Sequence, residues 1–119
     1  MAQRLRQRGH DAIMATSAYY RQLVEAEGVA FCPVRPDIDP EYRPMIHRLM
    51  DAKHGPEILI RECLLPHLRH SYTDLTAAVR GADLLVTHPI TFAGPVVAKR
   101  YQIPWVSTVL APMSLFSVY

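Results

Sequence analysis

The chain has 119 residues, of which half are apolar and a fifth are charged, and its net charge at pH 7 is +2. This length allows one domain with a real core but is small for a complete enzyme with two substrate sites. The charge is too small to indicate nucleic acid or a membrane surface as a partner. No apolar run approaches the ~20 residues that span a bilayer, so no transmembrane segment is predicted.

Further features point to the compartment. The N-terminus lacks the apolar segment of a secretory signal. Cys32 and Cys63 lie among apolar residues and form no spaced pair, which favours buried free thiols in a reducing cytosol. Together these features predict a cytoplasmic location.

Helical and strand patterns alternate along the chain. The predicted strands are apolar runs, at residues 12–16, 29–34, 84–87 and 105–110, and Thr108 inside the last of them is expected to be structural. The predicted helices lie at residues 1–8, 17–26, a short segment ending near 53, 56–80 and 95–101. Ser17 is predicted to cap the second of these helices, with Tyr20, Leu23 and Val24 on its inner face. Residues 37–44, acidic and containing Pro40 and Pro44, are predicted to form a loop.

The fourth predicted helix carries the clearest amphipathic pattern. Its apolar residues recur at steps of three or four, which favours one buried face. They are Ile60, Leu64, Leu68, Tyr72, Leu75 and Val79. Pro66 interrupts the pattern and should kink or divide this helix, since proline cannot donate its backbone hydrogen bond.

The order of elements predicts an α/β fold, a Rossmann-like parallel sheet with flanking helices. The strands do not alternate polar and apolar residues, which predicts burial on both faces. The chain opens in a helix, whereas the first strand of a doubly wound sheet is usually central. We therefore expect a sheet that lacks its first central strand, leaves strand edges exposed, and belongs to a fragment of a longer protein.

The candidate site follows from this architecture. In open α/β sheets, ligands bind beyond the carboxyl ends of the strands. His88 directly follows the third predicted strand, and residues 111–116 follow the fourth. The predicted site therefore borders these two segments.

Two stretches resemble the N-terminal domain of GT-B glycosyltransferases, in particular bacterial enzymes that glycosylate sterols, macrolides and glycolipids. The first is "AQRLRQRGHDAIMATSAYYRQLVEAEGVAFCPV" and the second is "GADLLVTHPITFAGPVVAKRYQIPWVSTVLAP". They are similar to that family's opening helix, Gly-His turn and second strand, and to its aspartate-led strand, small-residue helix start and "IPWVST" strand. Together they cover a little over half of the chain.

The resemblance implies residues 1–119 are a partial acceptor-binding domain of an inverting transferase. In such an enzyme a base deprotonates the acceptor hydroxyl, which attacks the anomeric carbon of a nucleotide sugar and displaces the nucleotide. The acceptor would be a lipid, sterol or natural product. The family's opening strand, its Gly-rich loop and the whole donor domain have no counterpart here. No catalytic or nucleotide-binding residue can therefore be assigned, no cofactor is expected, and the chain alone should be inactive.

Several residues are candidates for the acceptor site, each with a structural alternative. His88 could hydrogen-bond an acceptor hydroxyl, or it could cap the next helix or bond a loop carbonyl. Thr91 could contact the acceptor, but it is also a natural helix N-cap. Core packing explains the apolar candidates equally well. They are Phe92, Met113, Leu115 and Phe116, which could instead line an apolar acceptor cleft, and Pro89 is a further acceptor-site candidate.

The six histidines also raise the question of a metal site. His47, Asp51 and His54 would share a helical face, and His67 and His70 are three residues apart. Neither set has a further ligand at metal-binding spacing, so no metal is expected. The main alternative function is a stand-alone, non-catalytic binding module that pairs through its strand edges with another chain. A third alternative, some other nucleotide-binding α/β protein, is disfavoured because the sequence has no phosphate-binding loop.

Overall fold

The computed structural model describes residues 1–108 and has the predicted α/β class. Helix α1 (Ala2–Gln7) leads to strand β1 (Ile13–Thr16) through a turn at Gly9, whose φ of +86° is suited to glycine. A 3-10 turn at Ala18–Tyr20 then precedes helix α2 (Arg21–Ala26). Ser17 was predicted to cap a helix through residue 26, but it caps the 3-10 turn instead: its Oγ accepts a hydrogen bond from the Tyr19 N–H, and α2 has no side-chain cap.

The middle of the chain is helical after strand β2 (Ala30–Pro33) and a loop. Helices α3 (Arg43–Leu49) and α4 (Gly55–Ile58) are short, and α5 (Leu68–Ala78) is the longest helix described. Between α4 and α5 the backbone is wound as a π-helix at Leu59–Leu64 and as a 3-10 helix at Leu65–His67. The prediction that Pro66 would kink or divide the helix is met by a change of winding, since the backbone stays helical from residue 55 to residue 78 but passes from π to 3-10 to α around this proline.

The last described elements are strand β3 (Leu85–Thr87), helix α6 (Ala93–Tyr101) and strand β4 (Trp105–Ser107). Strand β1 pairs in parallel with β2, and β3 pairs in parallel with β4. Within residues 1–108 these are two separate two-stranded sheets, and neither β1 nor β3 has a second strand neighbour. The parallel direction is as predicted, and the two separate pairs agree with the predicted sheet that lacks its first central strand and leaves strand edges exposed.

The main core lies where α5 and α6 meet and contact β3. Its members are the buried apolar residues Leu75, Val79, Leu85, Ala93, Val97 and Ala98. Tyr72, Ala82 and Ile103 pack against this cluster from its margin. The second half of the chain therefore carries most of the described core.

Two predictions about burial are wrong. The strands are not buried on both faces: Ile13 in β1 is 58% exposed and Val106 in β4 is 51% exposed. Leu23, predicted to face inward from α2, is 64% exposed. Apolar sequence alone does not bury a strand or helix, because burial also needs a packing partner on each face, and within residues 1–108 these surfaces have none.

Candidate functional site

The carboxyl end of β3 is fixed by contacts that converge on Thr87. Its side chain is buried, and its Oγ1 accepts a hydrogen bond of 2.8 Å from the indole Nε1–H of Trp105. Its carbonyl accepts hydrogen bonds from the backbone N–H and the hydroxyl of Thr108, at 2.8 and 3.1 Å. These bonds join the carboxyl end of β3 to both ends of β4, and this arrangement fixes the position at which the next segment begins.

His88 lies immediately after Thr87, with its side chain exposed. Its Nδ1 accepts a hydrogen bond from the Ile90 N–H at 3.3 Å, and its carbonyl accepts one from the Thr91 N–H at 2.9 Å. The geometry assigns the imidazole proton to Nε2, since an accepting Nδ1 carries none in the neutral ring. Nε2–H can therefore donate a hydrogen bond to a ligand oxygen. The structural alternatives, capping α6 or bonding a loop carbonyl, are not what is observed, because Nδ1 instead accepts a hydrogen bond from the Ile90 N–H.

The turn from β3 into α6 does not have the N-cap that the sequence suggested. Thr91 was a candidate N-cap, but α6 begins at Ala93 with Phe92 as its N-cap, and no side chain caps it. The carbonyl of Thr91, and not its hydroxyl, accepts a hydrogen bond from the Gly94 N–H at 2.8 Å. The capping interpretation is therefore wrong, and the Thr91 side chain lies partly exposed on the surface of the loop.

The remaining candidates fall into two groups. Pro89 and Phe92 lie on the same turn as His88 and are exposed, with 37% of Phe92 accessible. Met113, Leu115 and Phe116 lie outside the described residues. Thr108 was predicted to be structural inside a strand. It follows β4 directly and bonds to Thr87, so its contacts are those of a structural residue.

The histidines considered for metal binding make other contacts. His54 Nδ1 lies 3.2 Å from an Asp51 oxygen on an exposed surface, and the rings of His67 and His70 stand 6.2 Å apart. Within residues 1–108, no group of three or more His, Cys, Asp or Glu side chains is arranged to hold a metal ion.

A cavity of about 290 Å³ was not anticipated from the sequence. It lies beside the loop that follows β2, and residues from α3 and the π-helical segment complete its walls. In the sequence, the only feature that marked this region was the acidic composition of residues 37–41, and it predicted a loop but no cavity. None of the residues around His88 lines it.

No helix in the described part of the chain is long and apolar enough to cross a membrane. No family model and no curated protein matches the chain. Solved structures do match it. The glycosyltransferase SsfS6 of Streptomyces sp. SF2575 superimposes with a TM-score of 0.65 at 23% identity, over 89% of this chain and 33% of its own.

Two further structures give the same result. CalG4, the calicheamicin glycosyltransferase, has a TM-score of 0.62 at 21% identity, over 89% of this chain and 26% of its own. SsfS6 complexed with thymidine diphosphate has a TM-score of 0.64 at 23% identity, over 90% of this chain and 32% of its own. The predicted resemblance to glycosyltransferases is confirmed at the level of the fold, and the chain spans about a third or less of these structures.

Proposed function

We propose that this chain is the acceptor-binding part of a GT-B glycosyltransferase, which transfers a hexose from a nucleotide sugar to a hydroxyl of a lipid, sterol or natural product. One observation carries the proposal: the fold likeness covers 89% of this chain but only 33% of SsfS6. That asymmetry is expected if residues 1–119 form part of one domain of a two-domain enzyme. The donor domain would then lie outside this segment, in a cytoplasmic protein.

The donor is proposed by analogy with a neighbour and not from this chain's own residues. SsfS6 has been crystallised in complex with thymidine diphosphate, which is the nucleotide part of an activated sugar. The five glycines of this chain are scattered singly, so it has no Gly-rich phosphate loop of the common types. We assign no catalytic and no nucleotide-binding residue to it.

The acceptor border is proposed for His88, Pro89, Thr91, Phe92 and Met113. Support comes from the turn between β3 and α6, where the first four side chains lie partly or fully exposed beyond a strand carboxyl end. There His88 Nε2–H would donate to an acceptor oxygen and Phe92 would pack against an apolar part of the acceptor. Met113 is retained from the sequence interpretation alone.

The alternative proposal is a stand-alone, non-catalytic module derived from such a domain. It is favoured by one observation: β1 and β3 each have an edge with no strand neighbour within residues 1–108, and such an edge can pair with a strand of another chain. The two proposals predict different coding sequence on either side of this segment. That coding sequence therefore decides whether sugar transfer or binding to another chain should be measured.

The test begins with genomic DNA for several hundred bases on either side of the segment. For a transferase, we expect one open frame that adds a strand and Gly-rich loop upstream and a second α/β domain downstream. Stop codons close to both ends would overturn it and leave the module. The protein from the open frame should then transfer sugar from a nucleotide sugar to a panel of hydroxylated acceptors.

The site assignment has its own test in that longer protein. His88→Ala should raise the KM for the acceptor about tenfold, the effect of losing one ligand hydrogen bond, and leave the KM for the nucleotide sugar unchanged. His10→Ala, which removes an exposed histidine from a different turn, is the matched control and should change neither. An unchanged acceptor KM for the His88 variant would remove His88 from the site without affecting the transferase proposal.

A further inference from the structure

The unanticipated cavity is lined by both apolar and charged residues, and its mouth is open to solvent. Its apolar surface comes from the loop after β2 and from the start of α3, and the residues are Pro36, Ile38, Tyr42 and Met45. At about 290 Å³ it is close to the smallest size typical of ligand pockets, enough for a ring and a short chain. A small amphipathic molecule fits this description.

One wall is formed by the π-helical turn, which places Glu62 and Cys63 side by side on the cavity. Cys63 is only 4% exposed, and burial raises the pKa of its thiol, so it is a neutral group with weak donor ability. It is a free cysteine within the described chain. π-helical turns of this kind occur frequently at functional sites.

The charges around the cavity do not balance. Three carboxylates line it, those of Asp37, Asp39 and Glu62, whereas His67 is the only lining residue that can become cationic. The negative charge of Glu62 is already balanced by Arg48, whose Nη2 lies 2.7 Å from Glu62 Oε1. The nearby Arg35 donates two hydrogen bonds from its guanidinium to Asp74, and its charge also interacts with that of Asp37, so Asp39 is the lining carboxylate for which no cationic partner is found within residues 1–108.

The two aspartates differ in how much of their hydrogen-bonding capacity is used. Asp37 Oδ1 accepts hydrogen bonds from the Ser17 hydroxyl at 2.8 Å and from the Ala18 N–H at 2.7 Å. Asp39 Oδ1 accepts one, from the Glu41 N–H at 2.8 Å. Within residues 1–108, no bond to the second oxygen of either aspartate is found, so both can still accept from a ligand cation.

We propose that this cavity binds a small amphipathic molecule carrying an ammonium group. Its apolar body would lie against Ile38, Tyr42 and Met45. Its ammonium would be held mainly by Asp39, with Asp37 contributing charge and the Tyr42 ring a cation–π contact. This claim does not depend on the proposed transferase, because binding of a probe amine involves no sugar transfer and none of the residues around His88.

The experiment titrates three matched probes into the isotope-labelled 119-residue chain and records backbone amide shifts. The probes are 3-phenylpropylamine, the neutral 3-phenylpropan-1-ol and the anion 3-phenylpropanoate. The amine should give saturable shifts confined to residues 36–67 with a Kd in the millimolar range, as expected for about ten heavy atoms. The alcohol should bind about fivefold more weakly and the anion should not bind.

A pair of variants tests whether Asp39 binds the ammonium group of the probe amine. Asp39→Asn keeps an oxygen for the Glu41 N–H but removes the charge, so it should weaken amine binding about threefold and leave alcohol binding unchanged. Asp83→Asn removes one carboxylate that does not line the cavity, and it should alter neither. Equal affinities for amine and alcohol, an Asp39→Asn variant that binds the amine normally, or no saturable shift would each overturn the proposal.

Discussion

Gly94 lies directly against Thr87, where helix α6 packs on strand β3. A methyl group added at Gly94 would come within 2.9 Å of Thr87 Cγ2, closer than non-bonded carbon atoms normally approach. Both residues are buried, so neither can move into solvent. We predict that Gly94→Ala lowers the free energy of unfolding by about 1–2 kcal/mol, despite the better helix propensity of alanine. Chemical denaturation of the two proteins measures this difference.

The contact with Thr87 can be separated from other effects of the substitution. Thr87→Ser removes Cγ2 and retains the hydroxyl that accepts the Trp105 hydrogen bond. In a double-mutant cycle, Gly94→Ala should therefore cost clearly less in the Thr87→Ser background than in the unaltered chain. An equal cost in both backgrounds would mean that the methyl group meets an obstacle other than Thr87.

Sequence reasoning at this scale found the position of His88 but not what supports it. A histidine after an apolar run is visible in the sequence, and so is its place at a strand carboxyl end. The hydrogen bonds that Thr87 accepts from Trp105 and Thr108 cannot be seen in the sequence, because they join residues 18 to 21 positions apart. The same limit explains why Thr91 was a reasonable N-cap candidate and yet does not cap α6.

At the scale of elements, an ion pair joins the loop after β2 to helix α5. Arg35 donates two side-chain hydrogen bonds and one backbone hydrogen bond to Asp74, at 2.7–3.1 Å, and these bonds lower the pKa of Asp74. Its pKa in the folded chain is therefore below the unfolded value of about 3.9. Stability from this pair is fully present above that value and is lost as the pH falls through it toward the folded pKa.

We predict a pH-dependent effect of Asp74→Asn. At pH 7 the variant should have a Tm about 5 °C below that of the unaltered chain, and the gap should narrow as the pH is lowered below about 4. Thermal melts followed by circular dichroism from pH 7 to pH 3 measure both. Glu25→Gln, which breaks the exposed pair with Arg21, should show almost no gap at any pH. A gap that stays constant with pH would contradict the assignment to the Asp74 charge.

The helical segment between Gly55 and Ala78 shows where hydrophobic periodicity predicts the buried face of a helix and where it fails. Steps of three and four predicted one buried stripe, and its C-terminal members Leu75 and Val79 are buried. Ile60 and Leu68 are 39% and 37% exposed, while Cys63 is buried in their place. Pro66 offers no N–H to the preceding turn, and the π and 3-10 windings around it rotate the two halves relative to each other. A count of spacings assumes a single winding and cannot register that rotation.

At the scale of the whole molecule, the alternation of helix and strand was enough to predict the α/β class and parallel pairing. It was not enough to predict which strands are covered. The two strand pairs remain separate within residues 1–108, and only β3 lies in the main core. Strands with an unpaired edge and exposed apolar side chains can pair with another copy of the chain. In β1 this combination is met by Ile13 and Met14, which are 58% and 39% exposed.

We therefore predict that the 119-residue chain self-associates through strand β1 as its concentration rises. Light scattering after size-exclusion chromatography should give an apparent mass that increases from micromolar to tens of micromolar protein. Ile13→Lys places a charge on the strand that a partner would have to cover, so it should shift the chain toward the monomer. Leu23→Lys replaces an equally exposed apolar residue on helix α2 and is the matched control, expected to leave association unchanged. If both variants reduce association equally, a general apolar surface is responsible and not the strand. If the unaltered chain is monomeric at every concentration, the edge of β1 is already protected.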